Sequence, residues 1–158
     1  MATPLQQAPG ASKLAPSPKH PPHSIEAEQS VLGGLLLNNR AWFDLNSQVA
    51  EEDFYTHDHR VIFRGIAELL GQNKPCDFVT LSEHLRHQNR LEEAGGVSYL
   101  GTLAADTPSA ANVQAYAEIV RERSVLRSLI SAGQDIAELG YQPDGRPSGA
   151  LIDVAEQQ

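Results

Sequence analysis

The sequence predicts an all-α protein, a globular bundle of about six helices followed by a helical hairpin. Three observations carry that reading. Apolar residues recur at three- and four-residue spacings, no stretch alternates with period two long enough to make a strand, and Gly and Pro fall where the periodic segments end. The strongest periodic segment runs from Ala111 to Gly140. Within it Val125, Leu126, Leu129, Ile130, Ala132, Ile136, Ala137 and Leu139 form a broad apolar stripe on one helix. Pro143, Gly145, Pro147 and Gly149 then supply a turn, Ser148 is placed to cap a further helix, and the pattern stops at Gln158. The expectation is a hairpin over residues 123–158 with its second arm cut short. A lone arm cannot bury such a stripe, so the stripe is expected to meet another helix.

The preceding elements can be justified in order. Residues 1–22 are rich in Pro, Ala, Gln and Ser, lack periodicity, and are expected to form a disordered tail. A helical subdomain should occupy 23–122. Ser24 can cap its first helix, with Glu26 and Glu28 set against the positive end of the helix dipole and Ile25, Leu32 and Leu36 on one stripe. Gly33 and Gly34 interrupt this helix at a cost of about 1 kcal/mol each, which predicts that a neighbouring backbone approaches there. A short helix over Arg40 to Leu45 follows, then an acidic loop, Glu51 to Asp53, expected to face water. Thr56 can cap a third helix closed by Gly71, with Ile62, Phe63, Ile66, Leu69 and Leu70 inward and Arg60, Arg64 and Glu68 outward. Thr80 and Glu83 read as a capping box for a fourth helix fading by Asn89. Gly95 and Gly96 precede a fifth, carrying Tyr99, Leu100 and Leu103 and ended by Pro108. Apolar positions change phase across Arg121 to Ser124, the point where the long helix would bend if it bends at all.

Composition narrows the function classes. A chain of 158 residues with 41% hydrophobic residues suits one domain plus tails. No apolar run approaches the roughly 20 residues of a membrane helix, the opening residues lack a signal-peptide core, and the single Cys76 has no partner in the chain. A cytoplasmic protein is expected. Of twelve basic residues two are the tail lysines Lys13 and Lys19, so ten face twenty acidic side chains in the remainder. Such a surface is poorly suited to gripping nucleic acid by counterion release, and protein partners are favoured.

Candidate chemistry is sparse. No glycine-rich turn feeds a lysine, since Lys13, Lys19 and Lys74 all lack a preceding glycine, so no Walker A element is present and no nucleotide cofactor is expected. His57 and His59 have a ligand spacing only on a strand, because a helix sets their side chains about 200° apart, and His84 with His87 makes two ligands rather than a site. No metal is expected. No G-x-S-x-G elbow occurs, and no catalytic residue is assigned. Val79 to Arg86 followed by Val97 to Ala105 has the outline of a helix-turn-helix, but its second helix carries no Arg, Lys, Asn or Gln to read a base.

Five blocks taken together resemble a known family. They are SIEAEQSVLGGLLLN from Ser24, DFYTHDHRVIFRGIAEL from Asp53, DFVTLSEHL from Asp77, LEEAGGVSYLGTL from Leu91 and NVQAYAEIVRERSVLRSLI from Asn112. In this order and spacing the chain resembles the N-terminal domain of the bacterial replicative DNA helicase, the DnaB family. The resemblance implies a helical collar in which hairpins pair between subunits, as a dimer or as a hexamer built from three dimers. It further implies docking of primase, contacts with a helicase loader, and a parent that unwinds duplex DNA at the replication fork. In such a parent ATP, Mg and most DNA contacts belong to a RecA-like domain beyond Gln158. On that view Val125, Leu126, Leu129, Ile130 and Ile136 meet the second arm or a neighbouring subunit, and Arg121, Arg123 and Arg127 engage acidic partners. The competing expectation is a free-standing helical adaptor or regulatory dimerisation module with no motor.

Overall fold

Ser24 begins the fold: its Oγ accepts from the Ala27 N–H at 3.2 Å and caps α1, Ile25–Leu37. The computed structural model describes residues 19–107 and 109–158, so the expected tail up to residue 18 and the helix-ending role of Pro108 lie outside the described residues. After α1 come α2 (Trp42–Leu45), α3 (His57–Gly71), α4 (Phe78–His87), α5 (Gly96–Asp106), α6 (Val113–Tyr141) and α7 (Ser148–Glu156). Short 3-10 turns at Asn39–Ala41 and Glu51–Asp53 flank α2. No strand occurs among the described residues, so the class is all-α.

Helix α1 is the centre of the head, packing against α3, α5 and α6. Leu32, Leu35, Phe54, Ile62, Ile66, Leu81, Leu85 and Leu100 are fully buried around it. Each such side chain contributes about 1.5–3 kcal/mol by leaving water. The glycine pair of α1 makes the close packing possible. A Cβ on Gly33 would lie 2.5 Å from the Leu103 carbonyl oxygen and 1.8 Å from Thr107 Oγ1, and one on Gly34 would lie 2.2 Å from Val113 Cγ2. The end of α5 and the start of α6 therefore sit directly on α1, as the glycines predict.

Helix α6 has two halves with different neighbours. Val113, Ala117, Val120 and Ser124 are buried at four- and three-residue steps, and beyond Ser124 no residue of α6 is buried. The phase change at Arg121 to Ser124 marks this handover from head to solvent within a single helix that runs unbroken to Tyr141. Helix α7 returns along α6, with Leu151, Val154 and Ala155 half-buried.

Several helix ends differ from expectation. Helix α3 ends at Gly71 as expected, but the left-handed residue of its closure is Asn73, at φ 57°, and not the glycine. Lys74 N–H then donates to Leu69 O at 2.9 Å and Asn73 N–H to Leu70 O at 3.1 Å, the two bonds of a Schellman closure. Asn89, at φ 56°, closes α4 in the same way, with Arg90 N–H donating to Leu85 O at 2.9 Å. The cap of α4 also lies one turn earlier than Thr80. Asp77 Oδ1 accepts from Thr80 N–H at 2.8 Å while Thr80 Oγ1 accepts from Asp77 N–H at 2.8 Å. Starting there lets Phe78 join α4 and pack on the core. Thr56 occupies the N-cap of α3 without a side-chain cap bond, and α7 opens at Ser148 with Pro147 as its cap residue.

Candidate functional site

The candidate site is the projecting half of α6 together with the contacts that fix its root. Asp53 was expected to face water, but its side chain is only 2% exposed. One oxygen accepts from Ala50 N–H at 2.8 Å, closing the 3-10 turn; the other accepts from Ser124 Oγ and Arg121 Nη1, both at 2.7 Å. A buried carboxylate requires this many donors, and the outcome is that α6 is tied to the α2–α3 connection. Three residues on, Arg127 completes the attachment. Its two terminal nitrogens donate to Pro22 O at 2.7 Å and Asp53 O at 2.6 Å, and its guanidinium lies 5.5 Å over the Tyr55 ring. The Tyr55 ring is also stacked with His23, with centroids 4.2 Å apart.

A second buried polar chain stiffens the head beneath this root. Glu28 does not face the helix dipole in solvent; it is 1% exposed and points into the core. Its Oε1 accepts from Tyr55 N–H at 2.6 Å and its Oε2 lies 2.5 Å from His59 Nδ1. Nδ1 donates to that carboxylate, and Nε2 lies 2.6 Å from the Tyr99 hydroxyl. Gln29 Nε2 donates in turn to the same hydroxyl at 3.3 Å. Burial raises the Tyr99 phenol above its usual range, so the hydroxyl keeps its proton for this bond. Helices α1, α3 and α5 are thereby joined through their polar as well as apolar sides. His57, by contrast, lies on the outside against Glu93 at 3.1 Å.

Beyond the root, α6 presents the residues singled out by the stripe. Val125, Leu129, Ile130 and Ile136 are 45%, 68%, 47% and 42% exposed, and Leu126 is half-buried. At about 100° per residue, Val125, Leu129 and Ile136 share one face, and Leu126 and Ile130 lie about 100° round from it. Of the three arginines, Arg121 and Arg127 are bonded within the chain and Arg123 is half-buried. Asp53, Ser124 and Tyr55, which complete the root, were not singled out by sequence. The local signal at Asp53 was its position three residues after Ala50, where a carboxylate can close a turn.

The glycine turn at Gly95 and Gly96 that opens α5 is not a phosphate cradle: Glu92 Oε2 lies against it, at 3.9 Å from where a Gly96 Cβ would be, and an acid there repels phosphate. Among the described residues no three His, Cys, Asp or Glu side chains gather as a metal cluster would require. No helix of the described residues is long and apolar enough to cross a membrane.

The described residues thus form an all-α head from which one long helix carries an exposed apolar row outward. The family model described as DnaB-like helicase N-terminal domain matches residues 20–122, and the chain belongs to this family. It is 46% identical over 138 residues to the replicative DNA helicase DnaB of Haemophilus influenzae, covering 87% of this chain and 30% of that protein. With DnaB of Geobacillus stearothermophilus it shares 42% identity over 142 residues, covering 90% of this chain and 31% of the relative. The chain thus spans under a third of the length of these relatives. Among solved structures, the N-terminal domain of DnaB helicase from Mycobacterium tuberculosis superposes with a TM-score of 0.83 at 37% identity, covering 87% of this chain and 96% of that one. A DnaB-like replicative helicase described with its interactions with primase superposes at 0.66 with 26% identity, over 85% of this chain and 34% of that one.

Proposed function

We propose that this chain is the subunit-assembly and primase-docking part of a replicative helicase, working in the cytoplasm. The observation that carries the proposal is the row Val125, Leu129 and Ile136, large apolar side chains left exposed on a helix whose root is held rigidly by Asp53 and Arg127. Rows of this kind on a soluble helix are covered by another helix in use. A second copy presenting the same face satisfies that requirement, giving a dimer that three-fold repetition extends to a hexameric collar. Leu126 completes the hairpin interior and Ile130 borders the contact without entering it, while Arg123 and Arg127 turn their charge toward acidic partners and Arg121 is held by Asp53.

In this reading the remainder of the parent supplies ATP and Mg binding, hydrolysis and strand separation, and a loader engages nearby. The chain itself contributes no turnover. A free-standing adaptor would use the same stripe, but 46% identity to a replicative helicase favours the motor-linked reading. The test is a titration of purified primase from the same organism against this chain by calorimetry. Saturable binding by the wild type, weakened at least about tenfold by Leu129→Glu through loss of the assembled surface, is the expected result. No heat of binding for the wild type would overturn the primase role.

A further inference from the structure

We infer that the cleft between the N-terminal arm, residues 19–23, and α6 is a docking notch for an acidic, apolar segment of a partner protein. The cleft encloses about 670 Å³ and is lined on one side by Lys19, Pro21, Tyr55 and Arg60 and on the other by Arg127 and Ile130. The inference goes beyond the assembly reading and does not depend on it. At about 100° per residue Arg127, Ser131 and Gln134 share a face of α6 lying roughly opposite Val125, Leu129 and Ile136, so a subunit packed on the apolar row leaves the cleft open.

Charge identifies the occupant. The chain carries twenty acidic residues against twelve basic ones, yet no carboxylate is among the described residues lining this cleft. Lys19, Arg60 and Arg127 form no ion pair among the described residues, whereas Arg64, Arg86, Arg90 and Arg121 each do. The two cleft arginines are held in place by neutral acceptors. Arg60 Nε donates to Phe54 O at 2.7 Å and Arg127 donates to Pro22 O and Asp53 O. Their side chains are therefore fixed while their charge stays uncompensated, which is the arrangement that favours an incoming carboxylate. Ile130, Ala137 and Pro21 supply apolar wall beside it. A nucleic-acid strand fits less well, because a chain of net charge −8 repels a long polyanion more than a short peptide, and the apolar wall offers it nothing.

The test uses the full chain and a synthetic amphipathic peptide with Glu and Leu along one face, its Lys-for-Glu counterpart, and an oligothymidylate strand. Binding is followed by fluorescence anisotropy and located by NMR shift mapping. Ser131→Glu and Gln134→Glu alter exposed positions on the cleft wall and are expected to leave folding intact; Lys19→Glu does the same on the arm. The expected result is binding of the Glu peptide, with shifts at Arg60, Arg127 and Ile130 and affinity lowered about tenfold by the paired Lys19→Glu and Gln134→Glu changes, while Leu129→Glu leaves it unaltered. Equal binding of the Lys peptide, or no effect of the cleft variants, overturns the inference. So does preferential binding of the oligonucleotide, or loss of self-association in the cleft variants with peptide binding unchanged, which would assign the cleft to a second copy.

Discussion

Glu28 and His59 show how a single buried pair constrains this molecule. Both are 1% exposed, and each satisfies the other at 2.5 Å. Removing the imidazole leaves a carboxylate in the core with only the Tyr55 N–H as donor, so His59→Ala should cost about 3–5 kcal/mol in chemical denaturation. Adding Glu28→Gln to that variant should restore part of the loss, since the uncompensated charge disappears; no recovery would show that packing rather than charge dominates. Asp77 is a milder and more local case. Hydrogen bonding from the Thr80 backbone holds its carboxyl below the ordinary range against a smaller opposing effect of burial. A lowered folded value means that its contribution is present above the unfolded value and is lost as pH falls through the folded one. Asp77→Ala should therefore cost about 1 kcal/mol at neutral pH, and the gap between the two melting curves should close in strong acid. Cys76 lies buried beside Asp77. Burial pushes its thiol up to about 12, with Asp77 adding to the effect, so it is an inert core residue.

At the scale of elements, the decisive fact is that α1 accepts α5 and α6 at glycine distance. Gly33→Ala should force the Thr107 side chain and the Leu103 carbonyl away and cost about 1–3 kcal/mol in thermal or urea unfolding, whereas Gly133→Ala, with no atom near its added methyl, should not destabilise. That pair of glycines was legible in the sequence, as were the helices themselves, because periodicity and breakers act over a few residues. The Asn73 and Asn89 closures were less legible, since Gly71 offered an equally good local stop and only the chain's onward path selects asparagine. Asp53 was not legible at all as a root for α6. Its partners Arg121 and Ser124 lie 68 and 71 residues away, and nothing in an acidic triplet announces a contact at that separation. The stripe on α6 and the phase change before it could be read, but that the head buries only the residues up to Ser124 could not. Arg121 and Arg127 were likewise read as free charges, when the structure spends part of their hydrogen-bonding capacity on the head.

For the whole molecule, these contacts add up to a rigid head that aims one exposed helix. The apolar row is most of what the chain offers to a second copy, and burying three side chains of that size on each partner is worth several kcal/mol at about 1.5–3 kcal/mol apiece. That is enough to oppose part of the cost of association but not to make it irreversible, so the proposed pairing predicts self-association that depends on concentration. Membership of the DnaB N-terminal family supplies the context, and the buried Asp53 and Arg127 contacts supply the geometry. The most direct measurement is light scattering of the purified chain across the micromolar range, wild type beside Leu129→Glu. The predicted result is a wild-type mass that rises with concentration to at least two chains, and a variant that stays at one while keeping its helical circular dichroism. A wild-type mass of one chain throughout, or a Leu129→Glu variant that assembles as well as the wild type, would contradict the claim that this helix face exists to be covered by another copy.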